Sequence, residues 1–316
     1  MSDTTFVTPE TQRSFKKKPI ILGSIIGLII VAAVGGTLLY LNSNNTFISP
    51  IGADGPVSDK TVEHPITGIL YSPKEAEEFI ELRPLSVMIN NHPDARPQSG
   101  LIEADLTFEI VAEGGVTRFL AFFLTSHPEK IGPIRSARDY YLVYVRELGD
   151  AMFMHIGWSP QALAAIENWP IRSLGRGAAP FYRDNSRNVA TEHTAYSEGK
   201  ALIERGIELG WSGKSDNFQS YLFKNDKSGY EEATLANLIT IDFWTKGAYS
   251  AGFEYNPETN SYLRFMGYDQ EDNLIPHLEN ETDEQLEFKN VAVIFATENP
   301  VANDDAGRLS YNLIGT

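Results

Sequence analysis

Between Leu85 and Trp158 the chain gathers side chains that can do chemistry: Asn90, Asn91, His92, Arg96, Gln98, Glu109, Glu113, Arg118, Arg135, Ser136, Arg138 and His155. Glu109 and Glu113 lie close in sequence. Two neighbouring carboxylates can act as acid and base, as in glycoside cleavage. Glu109 falls in an otherwise apolar strand pattern, which would bury it in part and perturb its titration. Four guanidinium groups, on Arg96, Arg118, Arg135 and Arg138, can instead fork onto a phosphate or carboxylate. In the run Gly132-Pro133-Ile134-Arg135-Ser136-Ala137-Arg138, Ser136 to Asp139 resembles a capping box, so a helix is expected to start at Ser136. Free backbone N–H groups at such a start attract anions. Arginine in a first turn opposes the helix dipole, so a compensating anion is expected there. That anion is a ligand, or it is Glu109, Glu113 or Asp139 of the chain itself. Three readings therefore stand: an anion site, an acid–base site, or an internal network of ion pairs.

Other chemistries find less in the sequence. His92, His155 and His193 have no metal-ligand spacing, and the chain has no Cys, so no metal is expected. The absence of Cys also excludes disulfides, a Cys nucleophile and an acylated N-terminal Cys. There is no G-x-S-x-G elbow, no G-x-G-x-x-G and no Walker loop, so neither a serine hydrolase nor a nucleotide cofactor is signalled.

The elements that must position these groups are strands with short loops. Leu85–Ile89 reads as a buried strand. Asp105–Ala112 and Val116–Thr125 read as a hairpin whose turn, Glu113-Gly114-Gly115, has the glycines that positive φ requires. Ser72-Pro73-Lys74-Glu75 caps a short helix over 73–81. The helix from Ser136 should run to about Leu148 and end at Gly149. A strand at Ala151–Ile156, a helix from Ser159-Pro160 to about Trp169, a basic irregular stretch from Arg172 to Asn188 and an amphipathic helix at Ser197–Leu209 follow. Beyond a polar segment at 212–237 strands dominate. They are expected at Ile239–Trp244, at Phe253–Tyr255 and Tyr262–Met266 around the turn Asn256–Asn260, at Val291–Thr297, and from Arg308 to Gly315, where a strand has only begun. The chain thus reads as an α/β domain at 64–211 and a β-rich domain at 238–316 that looks truncated.

The N-terminal end sets the location. Residues 1–18 are polar and carry a charge of +2, with Lys16, Lys17 and Lys18 at their end. Pro19–Leu41 then runs for 23 residues without a charge. A helix of that length spans roughly 34 Å, enough for a bilayer core. No Lys or Arg follows until Lys60, so the positive-inside rule puts the N-terminus in the cytoplasm and the main domains outside. A cleaved signal peptide would have a shorter apolar core and a small-residue cleavage site. Gly23 and Gly27 have the G-x-x-x-G spacing that could pack two such helices into a weak homodimer. Residues 42–63 read as a flexible spacer. The whole chain of 316 residues has a formal net charge of −16. That argues against a nucleic-acid partner, which needs a basic face.

The segments Pro65-Ile66-Thr67-Gly68, RPLSVMINNHPDARPQSGL, EGGVTRFLAFF and IGPIRSARDYY, with His155, Gly157, Ser159 and Pro160, resemble the YerB-like lipoprotein family. The resemblance covers about Pro65–Leu209 strongly and the β-rich part less specifically. It implies an N-terminal domain of unknown function followed by a smaller C-terminal domain, and no established reaction. It marks Asn91, Arg96, Gln98, Glu109, Glu113, Arg118, Arg135, Ser136 and Arg138 as site candidates. Many members carry an acylated Cys, which this chain lacks. Members also continue beyond the position of Gly315.

The expectation is a single-pass plasma-membrane protein facing the cell envelope, with an α/β N-terminal extracytoplasmic domain and a β-rich C-terminal domain. It would bind an anionic envelope ligand or partner through Asn91, Arg96, Gln98, Arg118, Arg135, Ser136, Arg138 and His155, without a cofactor. The alternative is a hydrolase or transferase acting on cell-wall glycopolymer, with Glu109 or Glu113 as acid or base.

Overall fold

The structure, a computed structural model, describes residues 59–312 except 176, 216–217, 219 and 224–235. The tail at 1–18, the apolar run at 19–41 with Gly23 and Gly27, most of the spacer at 42–63, Arg176, much of the segment 212–237 and the last residues from 313 lie outside the described residues. No helix among the described residues is long and apolar enough to cross a membrane.

The N-terminal part is built on a mixed sheet. Its strands are β1 (Leu85–Asn90), β2 (Leu106–Val111), β3 (Thr117–Phe123), β4 (Met152–Met154) and β5 (Arg172–Ser173), in the order β2-β3-β1-β4-β5. β2 and β1 each pair antiparallel with β3, whereas β1–β4 and β4–β5 are parallel. Every residue of β1 is buried, as the near-continuous apolar run Leu-Ser-Val-Met-Ile implies for a central strand covered on both faces.

Helices α1 (Pro73–Ala76), α2 (Tyr141–Glu147), α3 (Pro160–Asn168) and α4 (Gly199–Glu208) complete this part. One sheet face, through Met88, Leu120, Phe122 and Phe153, packs on Tyr141, Leu142 and Val145 of α2 and on Ala162, Ala165 and Ile166 of α3. The opposite face, through Val87, Ile89, Phe119 and Ala121, packs on Leu202 and Ile203 of α4 and on Met266 and Leu286 of the C-terminal part. Period-2 alternation along each strand assigns neighbouring residues to these two layers.

The C-terminal part is β-rich. Strands β6 (Leu238–Ile241), β7 (Ala251–Asn256), β8 (Ser261–Tyr268) and β9 (Leu274–Pro276) pair in that order, and β10 (Glu287–Phe288) pairs with β8. β11 (Thr297–Pro300) and β12 (Leu309–Asn312) form a separate hairpin.

The hairpin at Glu113-Gly114-Gly115 forms as its sequence requires: Gly114 and Gly115 have φ of 65° and 76°. The cap at Ser159 also forms, its side chain accepting from Ala162 N. Four expected elements differ. The stretch expected to be irregular from Arg172 to Asn188 supplies β5 at its start, and Tyr182–Arg183 within it pairs antiparallel with Ala195–Tyr196. The helix expected from Ser136 begins at Tyr141, with no side-chain cap. Residues 131–137 are instead drawn into the sheet. Asn90 N donates to Pro133 O, Arg135 N to Met88 O, Ile156 N to Arg135 O and Ala137 N to Gly157 O. The segment wedges between the C-terminal ends of parallel β1 and β4, the place where open α/β sheets usually leave a crevice. The helix after Ser72 keeps its full capping box but regular helix ends at Ala76 and gives way to turns. The strand expected at Val291–Thr297 forms only from Thr297. Val291–Ala296 join no sheet, and Val293, Ile294 and Phe295 are exposed.

Candidate functional site

Alternation divides the candidate residues. Thr117 and Arg118 are neighbours on β3 and point to opposite faces, and each collects its own cluster.

On the face covered by the C-terminal part, Asn91 is the hub. Its Nδ2 donates to Glu109 Oε1 (3.1 Å) and lies 2.7 Å from Thr117 Oγ1, which donates to the same Glu109 oxygen (2.6 Å). Its Oδ1 accepts from Arg96 Nε (3.1 Å) and Gln98 Nε2 (3.0 Å). Gln98 Oε1 meets His277 Nε2 at 2.8 Å, and His277 Nδ1 faces Arg264 Nη1 at 3.3 Å. Arginine can only donate, so His277 Nδ1 accepts and Nε2 carries the proton. Arg264 closes the circuit by donating to Glu109 Oε2. Arg264 and Glu109 are only 3% and 11% exposed. Burial, with the charges of Arg264 and Arg96, holds the His277 ring well below its ordinary pKa, so it is neutral. Arg96 lies over the Tyr249 ring, 5.4 Å from its centroid, and burial lowers its pKa to about 10, which leaves it charged at neutral pH.

On the other face Glu113 is the hub. Arg138 Nε donates to Glu113 Oε1 and Arg118 Nη2 to Oε2 (3.2 Å). Arg118 and Arg138 also donate to the carbonyls of Ser136 and Ala137 at 2.8 and 2.7 Å. Burial alone would raise the Glu113 pKa; the Arg138 hydrogen bond and the two guanidinium charges outweigh it and hold the carboxyl below its ordinary value. Glu109 and Glu113 therefore do not form a carboxylate pair. Each has its own guanidinium partners, Arg264 for Glu109 and Arg118 with Arg138 for Glu113.

Arg135 stands apart from both clusters. Its Nη2 lies 3.0 Å from Glu192 Oε1, and the two side chains are 26% and 54% exposed. Next to it the His92 and His193 rings stack with centroids 4.6 Å apart. Asn90 organises the pair, accepting from His92 N (3.0 Å) and donating from Nδ2 to His193 Nδ1 (2.8 Å). Arg187 secures the loop by donating to the carbonyls of Asp94 and Arg96.

His92, Asp94 and His193 bring ligand-type atoms within 4.8 Å of one another. His92 Nδ1 accepts from Asp94 N (3.2 Å) and His193 Nδ1 from Asn90, which places the proton of each neutral ring on Nε2. In that tautomer the rings offer donors rather than lone pairs, which suits an anion better than a cation. Burial, then the charges of His92 and Arg135, lower the His193 pKa.

Of the remaining candidates, Ser136 contributes its backbone to the wedge. His155 is fully buried at the end of β4, stacked on Phe153, its ring nitrogens 2.8 Å from Gly157 O and Ser173 Oγ. The structure thus distributes the expected site over two internal networks, one surface patch and one buried histidine. Sequence reasoning missed Arg264 and His277. Arg264 had a usable signal, a lone charge within Tyr-Leu-Arg-Phe-Met, whereas His277 had none.

A mixed α/β part and a β-rich part, joined through a buried polar network with no recognised catalytic or cofactor motif, define a protein class known by its fold rather than by a reaction. Residues 66–212 match the family described as "Protein of unknown function (DUF3048) N-terminal domain" and residues 239–316 its C-terminal domain. A Bacillus subtilis (strain 168) protein named "Putative lipoprotein YerB" is 31% identical over 264 residues, covering 82% of this chain and 74% of that one. The crystal structure of YerB from Bacillus subtilis superposes with a TM-score of 0.65 at 27% identity, covering 80% of each chain. The chain belongs to the YerB-like, DUF3048 family.

Proposed function

We propose that the protein is a membrane-anchored cell-envelope protein that binds an anionic envelope ligand or partner through the face bearing Arg135. The observation that carries this reading is the contrast among the four arginines. Arg118 and Arg138 are committed to Glu113, and Arg96 to Asn91, in buried or half-buried surroundings. Arg135 holds its partner at the surface, where an ion pair is worth about 0–1 kcal/mol and exchanges readily. An incoming phosphate or carboxylate can displace Glu192 and take the guanidinium fork. Asn91, Gln98, Arg96, Arg118 and Arg138 then act by fixing the loops around that face, Ser136 by carrying the Arg135 backbone, and His155 by anchoring the end of β4.

Attachment rests on the apolar run at 19–41, with the N-terminus cytoplasmic and the folded parts extracytoplasmic. A relative named as a lipoprotein supports a place at the envelope membrane, and a chain without Cys needs another anchor. Gly23 and Gly27 could bring two anchors together weakly. The net charge of −16 disfavours nucleic acid. The glycopolymer hydrolase or transferase alternative draws no support from Glu109 and Glu113 as they are paired here.

The test is calorimetric titration of the full chain in detergent with inorganic triphosphate. Arg135→Ala should weaken binding about tenfold, or ~1.4 kcal/mol, at an unchanged melting temperature, and Glu192→Gln should strengthen it. Equal binding by wild type and Arg135→Ala would remove Arg135 from the site.

A further inference from the structure

We propose that Ser173 and His155 form a nucleophile–base pair for acyl transfer from a small carboxylic ester, independent of the Arg135 face. The assignment rests on geometry that fixes the proton. Gly157 O, a carbonyl, can only accept, so His155 Nδ1, 2.8 Å away, carries a hydrogen. The neutral ring then has its lone pair on Nε2, which lies 2.8 Å from Ser173 Oγ. The Ser173 hydroxyl donates to that lone pair. Nucleophile, base and a group that orients the base are thus aligned in one chain of hydrogen bonds, the arrangement that activates a serine. This is the reverse of the His92 and His193 rings, whose Nδ1 atoms accept.

Position supports the assignment. Both residues lie at the C-terminal ends of adjacent parallel strands, where open α/β sheets place their sites. His155 is fully buried, stacked on Phe153 and T-shaped to Trp158, while Ser173 is partly exposed. The backbone after Ser173 closes on the pair. A Cβ on residue 175 would sit 2.5 Å from His155 Nε2, so only glycine fits.

The step balances without a cofactor. Ser173 Oγ attacks the ester carbonyl carbon and its proton passes to His155 Nε2. The C–O bond to the leaving alcohol breaks, the alkoxide takes the proton from Nε2, and the acyl group remains on Oγ. Water, deprotonated by the same Nε2, releases the acid and restores the serine. A hydroxyl acceptor in place of water would give a transesterification.

The experiment treats the full chain in detergent with a fluorophosphonate probe and maps the adduct on the wild type by peptide mass spectrometry. The expected result is an adduct on Ser173, lost in Ser173→Ala and in His155→Gln and retained in Arg135→Ala. Hydrolysis of p-nitrophenyl acetate should fall at least 100-fold in Ser173→Ala at an unchanged melting temperature. No adduct on wild type that melts cooperatively, or an adduct on another residue, overturns the proposal and assigns the Ser173 hydrogen bond to packing alone. Mapping on the wild type keeps the test valid even if a variant does not fold. Retention of the adduct in Arg135→Ala separates this result from any failure of the anion-binding reading.

Discussion

Arg264 sits 5.2 Å from the centroid of Phe119 and 5.3 Å from that of Phe253, with Glu109 as its counter-charge. A guanidinium so placed has lost most of its water, and its cost is offset by the carboxylate, His277 and the ring faces. Removing only the carboxylate leaves the charge buried and unpaired. Glu109→Gln should therefore cost about 3–5 kcal/mol of stability, read by urea denaturation of the full chain. A loss below about 1 kcal/mol would mean that water reaches Arg264 in place of Glu109. Glu109 was legible in the sequence as a carboxylate in an apolar strand pattern. Its partner was not, because 155 positions separate the two and nothing local pairs a charge on β2 with one on β8. The same distance hid the division of the candidate site. Strand alternation could have separated Thr117 from Arg118, but which face would receive which partner depends on packing between parts of the chain that are remote in sequence.

The join between the N-terminal and β-rich parts is made by short elements rather than by long ones. The loop after β9 presents Glu279, 2% exposed, whose carboxylate accepts from Gly100 N (2.7 Å) and Ile102 N (3.2 Å). Those donors head a single turn of 3-10 helix at Leu101–Glu103, which has no side-chain cap of its own. Asn280 N donates to Gln98 O, and Glu281 meets Ser99 Oγ and Lys130. Glu279→Ala would strand the buried Gly100 N–H and the half-buried Ile102 N–H, at about 1–3 kcal/mol each where water does not replace the carboxylate. A fall in melting temperature without loss of triphosphate binding is expected; loss of binding together with folding would show that this loop supports the Arg135 face. The elements most legible in sequence were those with local chemistry: the Gly-Gly hairpin, the Ser159 cap and the amphipathic α4. The Ser136 helix start failed for a physical reason. The segment is held extended against the sheet, because Pro133 O, Arg135 N and O, and Ala137 N form backbone hydrogen bonds with β1 and the chain after β4. Tertiary pairing outcompeted a four-residue signal.

Across the whole molecule, buried histidines give the fold a definite pH dependence. His277 is held well below its ordinary pKa by burial and by Arg264 and Arg96. His64 and His193 are shifted in the same direction, burial again the largest cause. In the unfolded chain these rings take up a proton as pH falls through about 6.5. In the folded protein His277 does not, so the unfolded state binds more protons and stability falls as pH falls. Each ring that stays neutral contributes a slope of up to about 1.4 kcal/mol per pH unit between 6.5 and its own folded value. Glu113 acts with the same sign in a lower window. Its depressed pKa contributes stability above the ordinary carboxylate range that is lost as pH falls through the folded value. Urea unfolding at pH 7.5, 6.5, 5.5 and 5.0 should therefore show stability already declining as pH falls below 6.5. His277→Gln removes the proton site while retaining an amide able to meet Gln98 Oε1. It should flatten the slope between pH 6.5 and 5.0 and leave the decline below pH 4.5 in place. A slope unchanged in His277→Gln would assign the proton uptake to His64 and His193, and with it the acid-sensitive step to the edges of the fold rather than to the junction of its two parts.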